Sequence, residues 1–301
     1  MSMRRYVLVR AAWQVGMLFV FASAAYVVAW VVADETRGHD PGYGGFLSNV
    51  VHGSLGRVAP VQGAIVAGRP SVDSIVWGAS KVTLSLLLVT GVFAVALGGL
   101  FALALVRAPR LRPLVRAIGF VGVSLLPIWT VLYLEVYPGS KWELVRFSGY
   151  CPLHATPGDR CHGLGPWLSS LIVPALALAI FFGAIYGRWL AAAYRAGAAE
   201  YRSEVDEGRD RDQARRSVRR WHGLAFARLL SRDFAFTIGF ALFVEVVAGL
   251  PGLGSTLVNA AFSPDSALLA GVLVAGSLLA AGVGFLVDVT CAAIDPRFRR
   301  F

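Results

Sequence analysis

The chain has 301 residues, of which 56% are hydrophobic and only 15% charged, with a mean hydropathy of +0.64 and a formal net charge of +10. So little polar surface cannot cover a soluble core of this size, which excludes a soluble enzyme or binding domain and leaves a membrane protein. The excess positive charge then belongs to topology and to contact with anionic lipid, not to nucleic-acid binding.

A helical span needs about 20 apolar residues. Six stretches supply them, at roughly 11–33, 82–106, 117–137, 167–190, 234–250 and 268–294. The fold class this predicts is all-α, a polytopic membrane protein with six transmembrane helices forming one domain over 1–301. Six spans put both termini on one side, where 21 Lys and Arg lie against 6 on the other, so both termini are expected to be cytoplasmic. The first apolar run is long enough to span and no small-residue cleavage site follows it, so it is expected to remain as the first span.

In chain order, MSMRRYVLVR is a basic lead in which Arg10 is placed to snorkel toward the interface. The first external loop, 34–74, holds two phrases, GSLG at 53–56 and GRPSVDSI at 68–75, and reads as a glycine-rich loop leading into a helix. The basic turn VRAPRLRPLVR joins spans two and three, and Ser124 and Pro127 interrupt span three. The second external loop, 138–166, carries Cys151, His154, Cys161 and His162. On an oxidising side a Cys151–Cys161 disulfide is the first reading; zinc held by these Cys and His residues is the alternative, although their spacing matches no strong template.

Span four contains Pro174, a kink position, and ends at Arg188. The cytoplasmic region 191–233 follows, and eleven arginines lie from Arg188 to Arg232. Within it Ala214, Val218, Trp221 and Ala225 share one helical face, predicting an amphipathic surface segment that either lies on lipid or docks a soluble partner. Glu245 in span five and Asp288 in span six are the intramembrane acids, each read as either structural or pathway-lining because a charge is costly in hydrocarbon. PGLG follows span five at 251–254, Cys291 reads as packing, and DPRFR closes the last helix.

No Walker glycine loop, HExxH or GxSxG occurs. No catalytic residue, metal site or bound cofactor is expected. The scattered polar groups suit a conduit whose energy comes from a separate nucleotide-hydrolysing subunit.

Together the phrases resemble the permease subunits of binding-protein-dependent ABC importers of the dipeptide, oligopeptide and nickel group, the type with a short basic lead (here Arg5-Tyr6). The resemblance is carried by GSLG, by GRPSVDSI followed by Thr83-Leu84, and by IVPALAL at 172–178. It continues through Glu200-Tyr201 and Gly208, Glu245 six residues before PGLG, Asp288 and DPRFR. It implies a type I ABC importer permease fold in the bacterial inner membrane. It also implies an ATPase-coupling loop at Glu200, Tyr201, Glu204, Asp206, Glu207 and Gly208. The implied partners are a second homologous permease, two ATPase subunits or domains carrying ATP and Mg, an extracytoplasmic solute-binding protein and membrane lipids, with no nucleic acid. Glu204, Asp206 and Glu207 stand where the family has small and basic residues, and the loop is one residue shorter between Glu200 and Gly208. Short peptides are the first substrate reading, with nickel, glutathione or another small solute as alternatives. A non-transporting scaffold that binds lipid or a cytoplasmic partner is the rival from another class.

Overall fold

The computed structural model describes residues 2–32, 42–56, 71–107, 110, 112–124, 126–141, 150–152, 161, 163–208, 210–213, 236–262 and 265–294. The sequence-predicted amphipathic stretch at 214–225, His154, His162 and the terminal DPRFR lie outside the described residues. Apolar segments with no water for their amides close their hydrogen bonds internally, and the regular structure among the described residues is helical. In chain order the helices are α1 (Met3–Val32), α2 (Gly42–Val51), α3 (Val72–Arg107), α4 (Arg112–Ser124), α5 (Pro127–Leu134), α6 (Leu164–Asp206), α7 (Phe236–Val247), α8 (Leu253–Phe262) and α9 (Ser266–Ile294).

Among the described residues, α1, α3, α6 and α9 can each cross a membrane by length and composition, and α4 with α5 makes a fifth crossing if that bent pair counts as one. Two of the six expected spans are not single long helices among the described residues. The third stretch is broken where Ser124 and Pro127 interrupt it, and its axis turns by 93°. Pro127 sits at the first position of α5, and Leu126 before it is extended (φ −57°, ψ 135°), as the proline ring demands of its predecessor. The fifth stretch is described only as the short helix α7. It ends at Gly249, whose φ of 61° is the left-handed conformation that closes a helix.

Other boundaries also move. The loop expected over 34–74 contains α2, packed on α1 through Tyr26, whose ring lies 5.4 Å from those of Tyr43 and Phe46. Its two glycine phrases meet: Val72 N–H donates to Gly56 O (3.1 Å), and Leu55 N–H donates to Asp73 Oδ1 (2.7 Å). α3 starts at Val72 rather than near 82, so Lys81 is inside the helix, its ammonium over the Trp77 ring.

The centre of the bundle is the parallel pair α3 and α6. A Cβ on Gly98 would meet Tyr186 Cβ at 3.1 Å and Gly183 O at 3.2 Å, and one on Gly183 would meet Leu97 Cβ at 3.0 Å. These glycines, with buried Ala94 and Ala102 a turn to either side of Gly98, let two backbones approach so that dispersion and close packing hold helices that lipid would otherwise solvate equally well. Phe182, Leu178, Leu86 and Val244 fill the core around this contact. α1 packs antiparallel on α9: Ala22 and Ala25 cluster with Val274, and Ala29 with Leu269 and Ala270. The rest of α1 presents Trp13, Phe19, Val20 and Val31 outward, an apolar surface suited to lipid.

Candidate functional site

Two regions hold most of the residues the sequence singled out. The first is built around Glu245, wholly buried near the end of α7. Its carbonyl accepts the Leu250 N–H (2.9 Å) while Gly249 N–H reaches Val246 O (3.4 Å), the pair of bonds that ends a helix at a left-handed glycine. The PGLG turn then reverses the chain, and the Glu245 side chain reaches over it: Oε2 accepts the Gly254 N–H at 2.7 Å. The neighbouring amide, Leu253 N–H, donates to Thr83 Oγ1 of α3 at 3.0 Å. Two of the amides that α8 leaves without helical partners are thereby satisfied by side chains from two other helices. A carboxylate is also the group favoured at the positive end of the α8 dipole.

The glycines of the turn are required by space. A Cβ on Gly252 would run into the Glu245 carboxylate, and one on Gly254 into the Leu242 backbone carbonyl. The six-residue spacing from Glu245 to PGLG is what lets one residue both stop α7 and cap α8. Thr83, singled out with Leu84 in the sequence, is the third member of this clasp.

The second region is the far end of α6. This helix has 43 residues, which at 1.5 Å per residue spans roughly 65 Å, about twice the hydrocarbon thickness. It runs on through buried Pro174 and past Leu190, where the apolar run stops, to Asp206. Glu200, Tyr201, Glu204 and Asp206 therefore stand on the last turns of one continuous helix rather than on a separate loop. Glu207 caps it, its N–H donating to Ser203 O (2.9 Å), and Gly208 leaves it at φ 83°. Glu200, Asp206, Glu207 and Gly208 are exposed, whereas Tyr201 and Glu204 are half-buried.

Asp288 belongs to neither region. Its Oδ2 accepts from Arg10 Nε at 2.7 Å, tying the first turns of α1 to the last turns of α9. Arg10, expected to snorkel toward the interface, has its counter-charge 278 residues away. Cys151 and Cys161 are joined by a disulfide, which withdraws both sulfurs from the zinc alternative. Cys291 is buried.

The α3–α6 contact contains a signal that the reading of the sequence passed over: Gly183 and Gly187 are four residues apart, the small-residue spacing of closely packed membrane helices, and α3 faces them with Ala94, Gly98 and Ala102. Arg188, read in the sequence only as the end of span four, lines one groove between α4 and α6 together with Arg116 and Arg195, a grouping the sequence did not show.

No family model matches the chain. Individual proteins do. It is 27% identical over 276 residues, covering 85% of this chain and 79% of the relative, to a peptide transport system permease protein of Brucella abortus. It is 26% identical over 287 residues, covering 88% of this chain and 84% of the relative, to the oligopeptide transport system permease protein of Mycobacterium tuberculosis. Its homologues are peptide-transport permeases. A peptide ABC transporter permease protein of Sinorhizobium fredii matches at 26% over 191 residues, 58% of this chain and 55% of the relative. The Glu245 clasp, then, is buried, whereas Glu200, Asp206 and Glu207 at the end of α6 are exposed.

Proposed function

We propose that the chain is the permease subunit of an ATP-driven ABC importer and forms half of a translocation pathway for di- or oligopeptides. The observation that carries this reading is the likeness to peptide-transport permeases along most of the chain. In this reading the fold is the type I importer permease with six spans, the bent α4–α5 pair and the α7 region supplying the third and fifth. Both termini are cytoplasmic and the membrane is the bacterial inner membrane. A second homologous permease completes the pathway, and a solute-binding protein delivers the peptide outside. Two ATPase subunits or domains hold ATP and Mg, so this chain performs no catalysis.

The long helix α6 suggests how work is transmitted. A helix is stiff along its axis, so a load at Glu200–Gly208 passes without an intervening loop to Gly183 and Gly187, where α6 rests on α3, and the clasp links α3 to α7 and α8. The exposed Glu200, Asp206 and Glu207 give the docking end a negative face, which calls for a basic groove on the ATPase.

The test is ATP hydrolysis by the complex reconstituted with the products of neighbouring genes, native against Gly208→Trp. Hydrolysis stimulated by binding protein and peptide in the native complex, with the stimulation lost in the variant, supports the reading. An isolated chain that draws down no ATPase, or a complex indifferent to peptide-loaded binding protein, overturns it.

A further inference from the structure

A groove of about 840 Å³ opens between α4 and α6 beside the end of α3. Its two walls are helical stripes. On α6, Ile185, Arg188, Trp189, Ala192 and Arg195 recur at three- and four-residue intervals; on α4, Arg116, Phe120 and Val123 do the same.

The helices run antiparallel. A Cβ on Gly122 would touch Ala184 at 3.1 Å, while Val115 clusters with Ala191. The groove is therefore polarised. Arg116, Arg188 and Arg195 mark the end toward which α6 emerges, and Phe120, Val123 and Ile185 line the deeper end. Phe120 and Trp189 are 69% and 52% exposed, although both are large apolar groups in a channel leading into the body.

Among the described residues none of the three arginines pairs with a carboxylate, and no acidic residue lines the groove. Arg195 Nε donates to Ala191 O (3.1 Å), within its own helix, which adds no counter-charge. Three like charges around an apolar channel are at their lowest energy when an anion lies among them. An anion attached to hydrocarbon satisfies both ends of the groove at once.

We infer that this groove is a binding site for one anionic phospholipid, its phosphate among Arg116, Arg188 and Arg195 and an acyl chain along Phe120, Val123 and Ile185. Guanidinium groups match phosphate by paired N–H donors, basic pockets between membrane helices select anionic headgroups, and Trp189 has the amphipathic ring that membrane interfaces favour. A lipid seated there would wedge α4 against α6 where α6 leaves the body. The inference needs only that the chain lies in a membrane, so it stands or falls separately from peptide import.

The test is tryptophan quenching by brominated lipid. The full chain is assembled in phosphatidylcholine nanodiscs doped at equal fraction with dibrominated phosphatidylglycerol or dibrominated phosphatidylcholine. Eight tryptophans are present, so each measurement is paired with Trp189→Phe and the Trp189 signal taken as the difference. Trp189 should be quenched more by the brominated phosphatidylglycerol, and Arg116→Gln, Arg188→Gln and Arg195→Gln should each weaken the preference about fivefold, the worth of one basic residue near an anionic surface. Arg188→Lys should retain most of it, a control for folding. Equal quenching by the two lipids, or a preference that survives all three glutamine substitutions, overturns the inference. So does glycerophosphate competing away the preference, which would make this a site for small anions. Loss of Trp189 quenching when the complete transporter is assembled would give the groove to a protein partner and equally overturn it.

Discussion

Glu245 and the acids at the end of α6 are the same functional group in opposite settings. Glu245 is entirely out of solvent, with one oxygen on an α8 amide and its own carbonyl closing α7, and Gly252 and Gly254 leave no room for a methyl group. Glu200, Asp206 and Glu207 stand exposed, and around Gly208 a Cβ would meet nothing within 4 Å. A buried carboxylate with a fixed amide partner specifies one geometry, because moving it strands both groups. Exposed acids on a projecting helix specify a charge and leave its partner to another molecule. The difference separates residues that hold the body together from residues free to face a partner, and substitutions should divide along the same line.

The largest loss of stability is expected at Gly254→Val. Its branched side chain is driven into the Leu242 carbonyl, a cost of about 3 kcal/mol, near the top of the usual range for overpacking. It should appear as a fall in melting temperature and in monodisperse yield on size exclusion; a variant that melts like the native chain would show that the α7–α8 turn is not tightly packed. Glu245→Ala removes the acceptor of a buried amide and should cost about 1–3 kcal/mol. Glu245→Gln keeps an acceptor oxygen and should recover most of that in the same melt. If glutamine and alanine melt alike, the bond to Gly254 is not what matters at this position.

Gly208→Trp tests the other side of the comparison. Side chains disfavour φ 83° by about 1–2 kcal/mol, spent locally at an exposed helix end, so melting should barely change while peptide-stimulated ATP hydrolysis falls to the basal rate. Melting that collapses would place Gly208 with the clasp instead. The smallest effect is expected at Arg10 and Asp288, whose side chains are 41% and 18% exposed. A double-mutant cycle with Arg10→Gln and Asp288→Asn should return a coupling of about 0.2–1 kcal/mol, the range of partly solvated ion pairs. A much larger value would mean that this end of α1 and α9 is drier than its exposure indicates.

Much of the clasp was legible as spacing. Glu245, PGLG and the interval between them lie within one short stretch, and helix ends obey local rules that a sequence displays. Thr83 stood in a noted phrase, yet its connection to Leu253 spans 170 residues, and nothing local marks it. The continuation of α6 beyond the fourth span was not anticipated, because a fall in hydropathy marks where a helix leaves hydrocarbon, not where its hydrogen bonds stop. Ala191, Ala192, Ala193, Ala198 and Ala199 are strong helix formers and carry it onward. The turn at Ser124 and Pro127 was visible as an interruption, but its 93° angle was not, since one proline is compatible with a mild kink or a full reversal.

The sequence by itself determined that this is a helical membrane protein and which phrases matter, because composition and local spacing carry that information. The tertiary structure decided which faces meet: α3 on α6 through Gly98, Gly183 and Gly187, Arg10 on Asp288, and three arginines around one groove. A helix that is apolar all round shows no inward face in its sequence, so only the packing of neighbouring helices selects one.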